Sequence, residues 1–387
     1  HTIDGVEMEF VYVLDTEAPV EIMIWLPQLK AFCTAEDMTH NMHNLQTLRG
    51  AKVRNGLLWS KAVDTAIERY GDRVEVSFST HHWPTWGNER IVDYWEAQRD
   101  MYRYLHDQTL HLANRGLTPD EIAEEMKLPA SLASQFNCRG YYGTLSHNVK
   151  AQYDLYFGWF DGNPAHLNPL PPSELGAKYV EAIGGADKVL EVAKASYAKG
   201  EYRWVATLLD NLVFAEPENK EARQLLSDTY SQLGYQAESG PWRNFYLTGA
   251  QDLLKKAVPY TSKLINDGVL SQMDMGTLLD YCAIQLNGEK AGGKEAVINI
   301  NFTDTKEKVM LMLKNGVLNH RLGSQDKKAD LTMEIAKMDF VKLFFGRTDL
   351  QTLRKTNKVK TTGDTKAIDM IRSACEPADP NFNIVLP

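Results

Sequence analysis

The stretch Glu9–Leu26, EFVYVLDTEAPVEIMIWL, decides how the rest of the chain is read. Glu9–Leu14 and Glu21–Leu26 are short runs rich in β-branched and aromatic residues, and Asp15–Pro19 supplies turn chemistry between them, so the pattern predicts a β-hairpin. Two further runs continue the sheet. One ends in Ala35-Glu36-Asp37, and Val74–Ser79 runs into His81-His82-Trp83-Pro84. Each run stops at a carboxylate or an imidazole. Glu17, Glu36 and His81 thus fall on strand-end loops, where functional groups concentrate. Their oxygen and nitrogen donors suit zinc and similar divalent metals. A solvated turn or a packed histidine is the plainer reading of each residue taken alone.

Helical spacing follows the strands. Thr39–Asn55 begins with a capping Thr and spaces Met42, Leu45 and Leu48 as one helix face, placing His43, Asn44 and Arg49 on that helix. Trp59–Tyr70 and the long, apolar-striped Asn88–Arg115 are expected helices, and Thr118-Pro119-Asp120-Glu121 starts another with a capping box. Asn137–Gly162 is dense in aromatics and Gly, so Tyr141, Tyr142 and His147 are pocket candidates as well as core candidates. Asn163–Pro172 reads as a linker. Gly184–Lys199, Glu201–Ala215 and Asn219–Leu233 form a helical run that resembles a tetratricopeptide-type pair, too short to stand alone.

The last part has a different pattern. Ser271–Leu286 reads as one helix, and Val297–Thr303, Lys308–Leu313, Val317–Leu322 and Ala329–Ile335 read as strands of an antiparallel sheet. Asn315-Gly316 is a two-residue hairpin signal. Lys337–Phe345 and Thr365–Ser373 are expected helices, and Asn383–Leu386 a final strand. The expected domains are 1–150, 151–258 and 259–387.

Composition narrows the function. The 387 residues carry 42 Lys and Arg against 51 Asp and Glu, a net charge of −9. No basic stripe is dense enough for a nucleic-acid backbone, and no apolar run approaches the about 20 residues of a membrane span. The four cysteines lie far apart without a CxxC, which indicates free thiols rather than a disulfide framework or a cysteine zinc site. The chain opens almost inside a strand, which reads as the middle of a fold with a preceding part elsewhere.

These motifs together resemble a family. Asp15–Pro19, Ala35-Glu36-Asp37, His43–Gly50 (HNLQTLRG), His81–Gly87 (HHWPTWG) and Gly140-Tyr141-Tyr142-Gly143 are similar to the bacterial alkylsulfatases of the metallo-β-lactamase superfamily. The separations of 19 residues from Glu17 to Glu36 and 45 from Glu36 to His81 are similar as well. The resemblance implies an α/β metallo-β-lactamase-type sandwich present as its C-terminal part, an all-α dimerisation domain, and an α+β domain like sterol carrier protein type two. It implies hydrolysis of alkyl sulfate esters by a pair of zinc ions, a homodimer, and a periplasmic or secreted location. The family's His-x-His-x-Asp-His motif is absent from this sequence, so Glu17, Glu36 and His81 match one half of the metal site, and the other half is expected in an upstream portion.

Further roles follow from chemistry. Arg49 offers a planar fork for a sulfate, or forms a surface ion pair. Asn44 offers an amide donor, and Tyr142 completes the substrate set. His43 is a weak candidate for the general acid and a better one for a group that supports the metal ligands. In the carrier-like part, residues such as Phe302, Leu311, Leu331, Met333, Phe340 and Phe344 either form a plain core or line an apolar tunnel for alkyl tails. The alternatives are a non-catalytic dimeric scaffold that binds hydrophobes, and a different ester hydrolase of the same fold.

Overall fold

Val11 and Val13 point inward along Glu9–Leu14, while Phe10, Tyr12 and Leu14 point outward. This alternation is the period of a strand with one covered face. The computed structural model describes residues 1–255, 266–379 and 381–387. Two compact units emerge. One comprises His1–Lys256 with Asn383–Pro387, and the other Ala257–Phe382. The boundary expected at 258/259 lies outside the described residues.

The first unit opens with a small ribbon of β1 (Thr2–Ile3) and β2 (Val6–Glu7). Its main sheet has the order β3-β4-β5-β6-β7, made of β3 (Glu9–Leu14), β4 (Val20–Leu26), β5 (Ala31–Cys33), β6 (Val76–Phe78) and β7 (Thr85–Trp86). β3, β4 and β5 run antiparallel in turn, and β6 is parallel to β5. The β3–β4 turn and the C-terminal ends of β5 and β6 therefore lie at one end of the sheet. Helices α1 (Gly56–Tyr70) and α2 (Asn88–Ala113) cover one face. Phe32 is the hub of that core, with ring centroids 4.9 Å from Tyr70 and 5.2 Å from Trp95. The apolar stripe of α2, including Ile91, Trp95, Met101 and Leu105, is fully buried in this unit. Among the described residues the opposite sheet face is bare, with Tyr12 paired to Ile22 and Leu14 to Val20, all four exposed.

The segment Thr39–Asn55 is not the expected helix but an irregular loop, largely buried over 39–47 and exposed over 48–52. Thr, His and Asn are weak helix formers, and long-range partners take the backbone instead. The Leu45 amide donates to Asn148 Oδ1 (2.8 Å), and Asn148 Nδ2 donates to the His43 carbonyl (2.9 Å). Gln152 Nε2 donates to the Arg54 carbonyl, and Gln152 Oε1 accepts from the Gly56 amide, both at 2.9 Å. Asn148 and Gln152 lie on α5 (Leu145–Phe157), which follows α3 (Pro119–Glu125) and α4 (Ala130–Ala133).

The helical run holds five helices, α6 (Pro172–Ile183), α7 (Ala186–Ala198), α8 (Tyr202–Ala215), α9 (Lys220–Gln236) and α10 (Gly240–Leu254). Asn383–Leu386 forms no strand. Val385 and Leu386 pack against this helical core.

The second unit begins with α11 (Asp267–Gln272) and α12 (Met275–Ile284). They replace the single helix expected over Ser271–Leu286, because Asp274 starts a new one by accepting from the Thr277 amide (3.0 Å). After α13 (Gly288–Ala291) come β8 (Ala296–Phe302), β9 (Lys308–Lys314), β10 (Val317–Leu322), β11 (Leu331–Ile335), α14 (Lys337–Phe344), α15 (Leu350–Lys355), β12 (Val359–Gly363) and α16 (Lys366–Ser373). The sheet order is β10-β9-β8-β11-β12, and it is mixed rather than antiparallel, since β8 and β11 run parallel. Asn315 and Gly316 have φ of +54° and +76°, as a tight hairpin turn requires. Phe302, Leu311, Leu331, Met333, Phe340 and Phe344 are buried in one cluster.

Candidate metal centre

The three strand-end loops bring their side chains together at one end of the first sheet. Glu17 leaves the β3–β4 turn, Glu36 follows β5, and His81 follows β6. Ala35 holds φ +49°, a left-handed conformation that turns the chain sharply after β5. Glu36 lies between two imidazoles. His43 Nε2 is 3.3 Å from Oε2, and His81 Nε2 is 3.2 Å from Oε1. The hydrogen bond from His43, reinforced by the charges of both rings, holds the Glu36 carboxyl down to about 2. One ligand atom each from Glu17, Glu36 and His43 can be drawn within 4.8 Å of the others. His81 stands at the mouth, with 58% of its side chain exposed.

Arg54, which the sequence reading passed over, ties this group together. Its Nη2 donates to Glu17 Oε1. Its Nη1 donates to the Asn44 carbonyl (2.9 Å) and Oδ1 (2.8 Å), and lies 3.1 Å from His43 Nδ1. His43 Nδ1 is shared between that guanidinium and the Asn44 carbonyl, which lies 3.0 Å away, and Nε2 faces Glu36. A lone Arg before the helix cap Asn55, in a polar run that also holds Arg49 and Lys52, carries no signal of its own. Arg49 itself is exposed and makes no hydrogen bond or ion pair among the described residues.

Asp37 was also unforeseen. Burial pushes its carboxyl up to about 7, with the charges of Glu21 and Glu17 adding to the effect. The Thr16 hydroxyl and the Glu17 amide moderate this rise, yet neither Asp37 oxygen makes a hydrogen bond of good geometry among the described residues, nor does Thr16 Oγ1. Glu21 is also raised, first by burial and then by Glu17 and Glu36. Carboxylates are thus in excess at this end of the sheet. Two carboxylates and two imidazoles in contact, beside the buried Asp37 carboxyl, form a donor set that fits zinc.

A cleft of about 300 Å³ opens over the group, lined by Thr39, Asn41, His43, His81, His82 and Tyr142. The Tyr142 ring meets His43 at 4.8 Å. Gly143 makes this approach possible. A Cβ there would lie 2.4 Å from the His43 carbonyl oxygen, and its amide donates to the Met42 carbonyl at 2.8 Å. His147 does not line the cleft. Its Nε2 donates to the Gln46 carbonyl (2.6 Å), and its Nδ1 accepts from Trp242 Nε1 (3.1 Å). His40 is likewise engaged in packing, stacked on Tyr94 at 4.8 Å and on Trp83 at 4.9 Å.

Comparison with known proteins gives the context. The family described as Alkyl sulfatase dimerisation matches residues 118–256, and Alkyl sulfatase C-terminal matches residues 263–387. A linear primary-alkylsulfatase from Pseudomonas sp. is 46% identical over 389 residues, covering 100% of this chain and 58% of the relative. An (R)-specific secondary-alkylsulfatase from Pseudomonas sp. is 44% identical, with coverage of 100% and 58%. The solved structure of a stereoselective inverting sec-alkylsulfatase from Pseudomonas sp. superimposes with a TM-score of 0.97 at 43% identity, covering 100% of this chain and 61% of that one. The chain thus spans about 58% of the length of the curated relatives it matches. It belongs to the alkylsulfatase family, whose dimerisation and C-terminal domains it carries.

Proposed function

We propose that the chain is part of a zinc-dependent enzyme that hydrolyses alkyl sulfate esters to an alcohol and inorganic sulfate. The observation that carries this reading is the convergence of Glu17, Glu36, His43 and His81 from loops at one end of the sheet. Glu17, Glu36 and His81 would hold the metal, with His43 as a fourth donor or as the support of Glu36. Zinc supplies Lewis acidity and activates water near neutral pH. The remaining ligands would come from a His-x-His-x-Asp-His segment outside these 387 residues.

The chain's own groups then have distinct tasks. Arg54 fixes the orientation of Glu17 and of the Asn44 amide, whose Oδ1 it occupies, which leaves Nδ2 as the Asn44 donor. Arg49 has no carboxylate partner among the described residues and is available to a sulfate oxyanion. Tyr142 and His82 wall the cleft and limit water. The bare apolar face of β3 and β4 supports a metallo-β-lactamase-type sandwich, because such a face needs a second layer over it. Exposed Trp204, Tyr235 and Phe245 in the helical run support a homodimer through the dimerisation domain.

The test is sulfate release from dodecyl sulfate by the full-length enzyme. Turnover should vanish with a chelator and return with zinc. Arg49→Ala should lower kcat/KM by about 30- to 1,000-fold, as loss of an oxyanion donor does. An inactive full-length enzyme would refute the reading, and an unchanged Arg49→Ala enzyme would remove Arg49 from the sulfate site.

A further inference from the structure

An aromatic ridge leads away from the cleft. The His82 ring, on the cleft wall, meets Trp83 edge-on at 5.9 Å. Trp83 contacts Phe136 at 6.1 Å, and Phe136 contacts Tyr141 at 5.6 Å. These three rings are 56%, 51% and 37% exposed. Contiguous exposed apolar surface of this kind marks a contact site rather than ordinary surface.

The ridge is rigidly mounted. The Trp83 carbonyl accepts from His40 Nε2 at 3.1 Å, and the Trp83 ring stacks on His40. Phe136 begins a short 3-10 turn whose next residue, Asn137, donates through Nδ2 to the Tyr94 carbonyl (3.3 Å). The Tyr141 carbonyl accepts from the Gly240 amide (2.8 Å). Backbone held this way keeps the rings in place when an apolar ligand arrives. The far end is also defined, because the Arg139 guanidinium sits 5.2 Å over the Tyr141 ring and pairs with Glu238.

We infer that Trp83, Phe136 and Tyr141 form the seat of the substrate's alkyl tail, running from the cleft to Arg139. This rests on the alkylsulfatase reading and adds to it a determinant of chain length. Continuity with the cleft selects the occupant: an ester whose head lies over Glu36 and His43 projects its tail past His82 and Tyr142 onto uncharged ring faces. Each methylene laid on the ridge leaves water and gains about fourfold in binding. The gain stops where the chain reaches the charged Arg139.

The experiment uses the full-length enzyme with butyl and decyl sulfate below micelle-forming concentrations, together with calorimetric binding of butanesulfonate and decanesulfonate. Phe136→Ala and Trp83→Ala should lower kcat/KM for decyl sulfate by about tenfold or more, mainly through KM. Butyl sulfate should change less than about twofold. Trp83→Phe should retain most of the decyl preference. Because Phe136 touches neither His40 nor the cleft, its variant separates tail binding from any disturbance of the site. Equal losses on both esters, or loss of the oligomer with either alanine variant, overturn the inference and assign the ridge to a protein contact. If the wild type hydrolyses neither ester yet binds decanesulfonate through Phe136, the alkylsulfatase reading fails and the ridge stands.

Discussion

The loop Thr39–Asn55 and the hairpin Lys308–Leu322 are built in opposite ways. In the hairpin every determinant is local. β9 is a short apolar run, Asn315 and Gly316 adopt the positive φ that the turn needs, and paired residues lie 3 to 13 apart in sequence. In the loop the decisive partners are distant. Its backbone is satisfied by Asn148 and Gln152, about a hundred residues further on, and by the Arg139 carbonyl, which accepts from the Met42 amide (2.9 Å). The hairpin belongs to a plain core, whereas the loop carries His43, Asn44 and Arg54 into a polar cluster. Irregular backbone held by long-range polar contacts can aim side chains that no helix face would bring together.

The largest test of this contrast is Asn148→Ala. It strands the Leu45 amide and the His43 carbonyl in a buried site, and each orphaned group costs about 1–3 kcal/mol. Urea denaturation should show a loss of about 2–5 kcal/mol, with activity falling further than stability explains because His43 is released. A loss below about 1 kcal/mol would mean that the loop holds itself. A matched pair of smaller changes sharpens the contrast. Gly143→Ala drives a methyl into the His43 backbone, and such overpacking costs about 1–3 kcal/mol. Gly316→Ala strains a left-handed turn against the Gly288 carbonyl, at about 1–2 kcal/mol. Both should lower the urea midpoint, but only Gly143→Ala should impair butyl sulfate hydrolysis. Equal activity losses would erase the functional distinction between the two regions.

The same contrast explains what could be read from the sequence. The strands β3 and β4, the helices α1 and α2, the capping box at Thr118 and the 315–316 turn were legible, because alternation, helical spacing and caps are local signals. Thr39–Asn55 was not legible. Met42, Leu45 and Leu48 fit helical spacing, and Met42 and Leu45 are buried, but the spacing says nothing about Asn148. Arg54 and Asp37 were missed for a related reason, since a buried charge is recognised by what surrounds it. Ser271–Leu286 was merged into one helix because apolar spacing outweighed the cap at Asp274. The meeting of Glu17, Glu36 and His81 was legible because each ends a strand run, a local feature that the fold brings to one end of a sheet.

The central claim is that loops at this end of the sheet hold a metal through Glu36. The most direct measurement is the zinc content of the purified full-length enzyme and of its Glu36→Gln variant, by elemental mass spectrometry. Glutamine keeps the size of the side chain and removes its charge. We predict a wild type that carries zinc and a folded Glu36→Gln variant that has lost at least half of it. A wild type without zinc, or a variant with an undiminished content, would contradict the account.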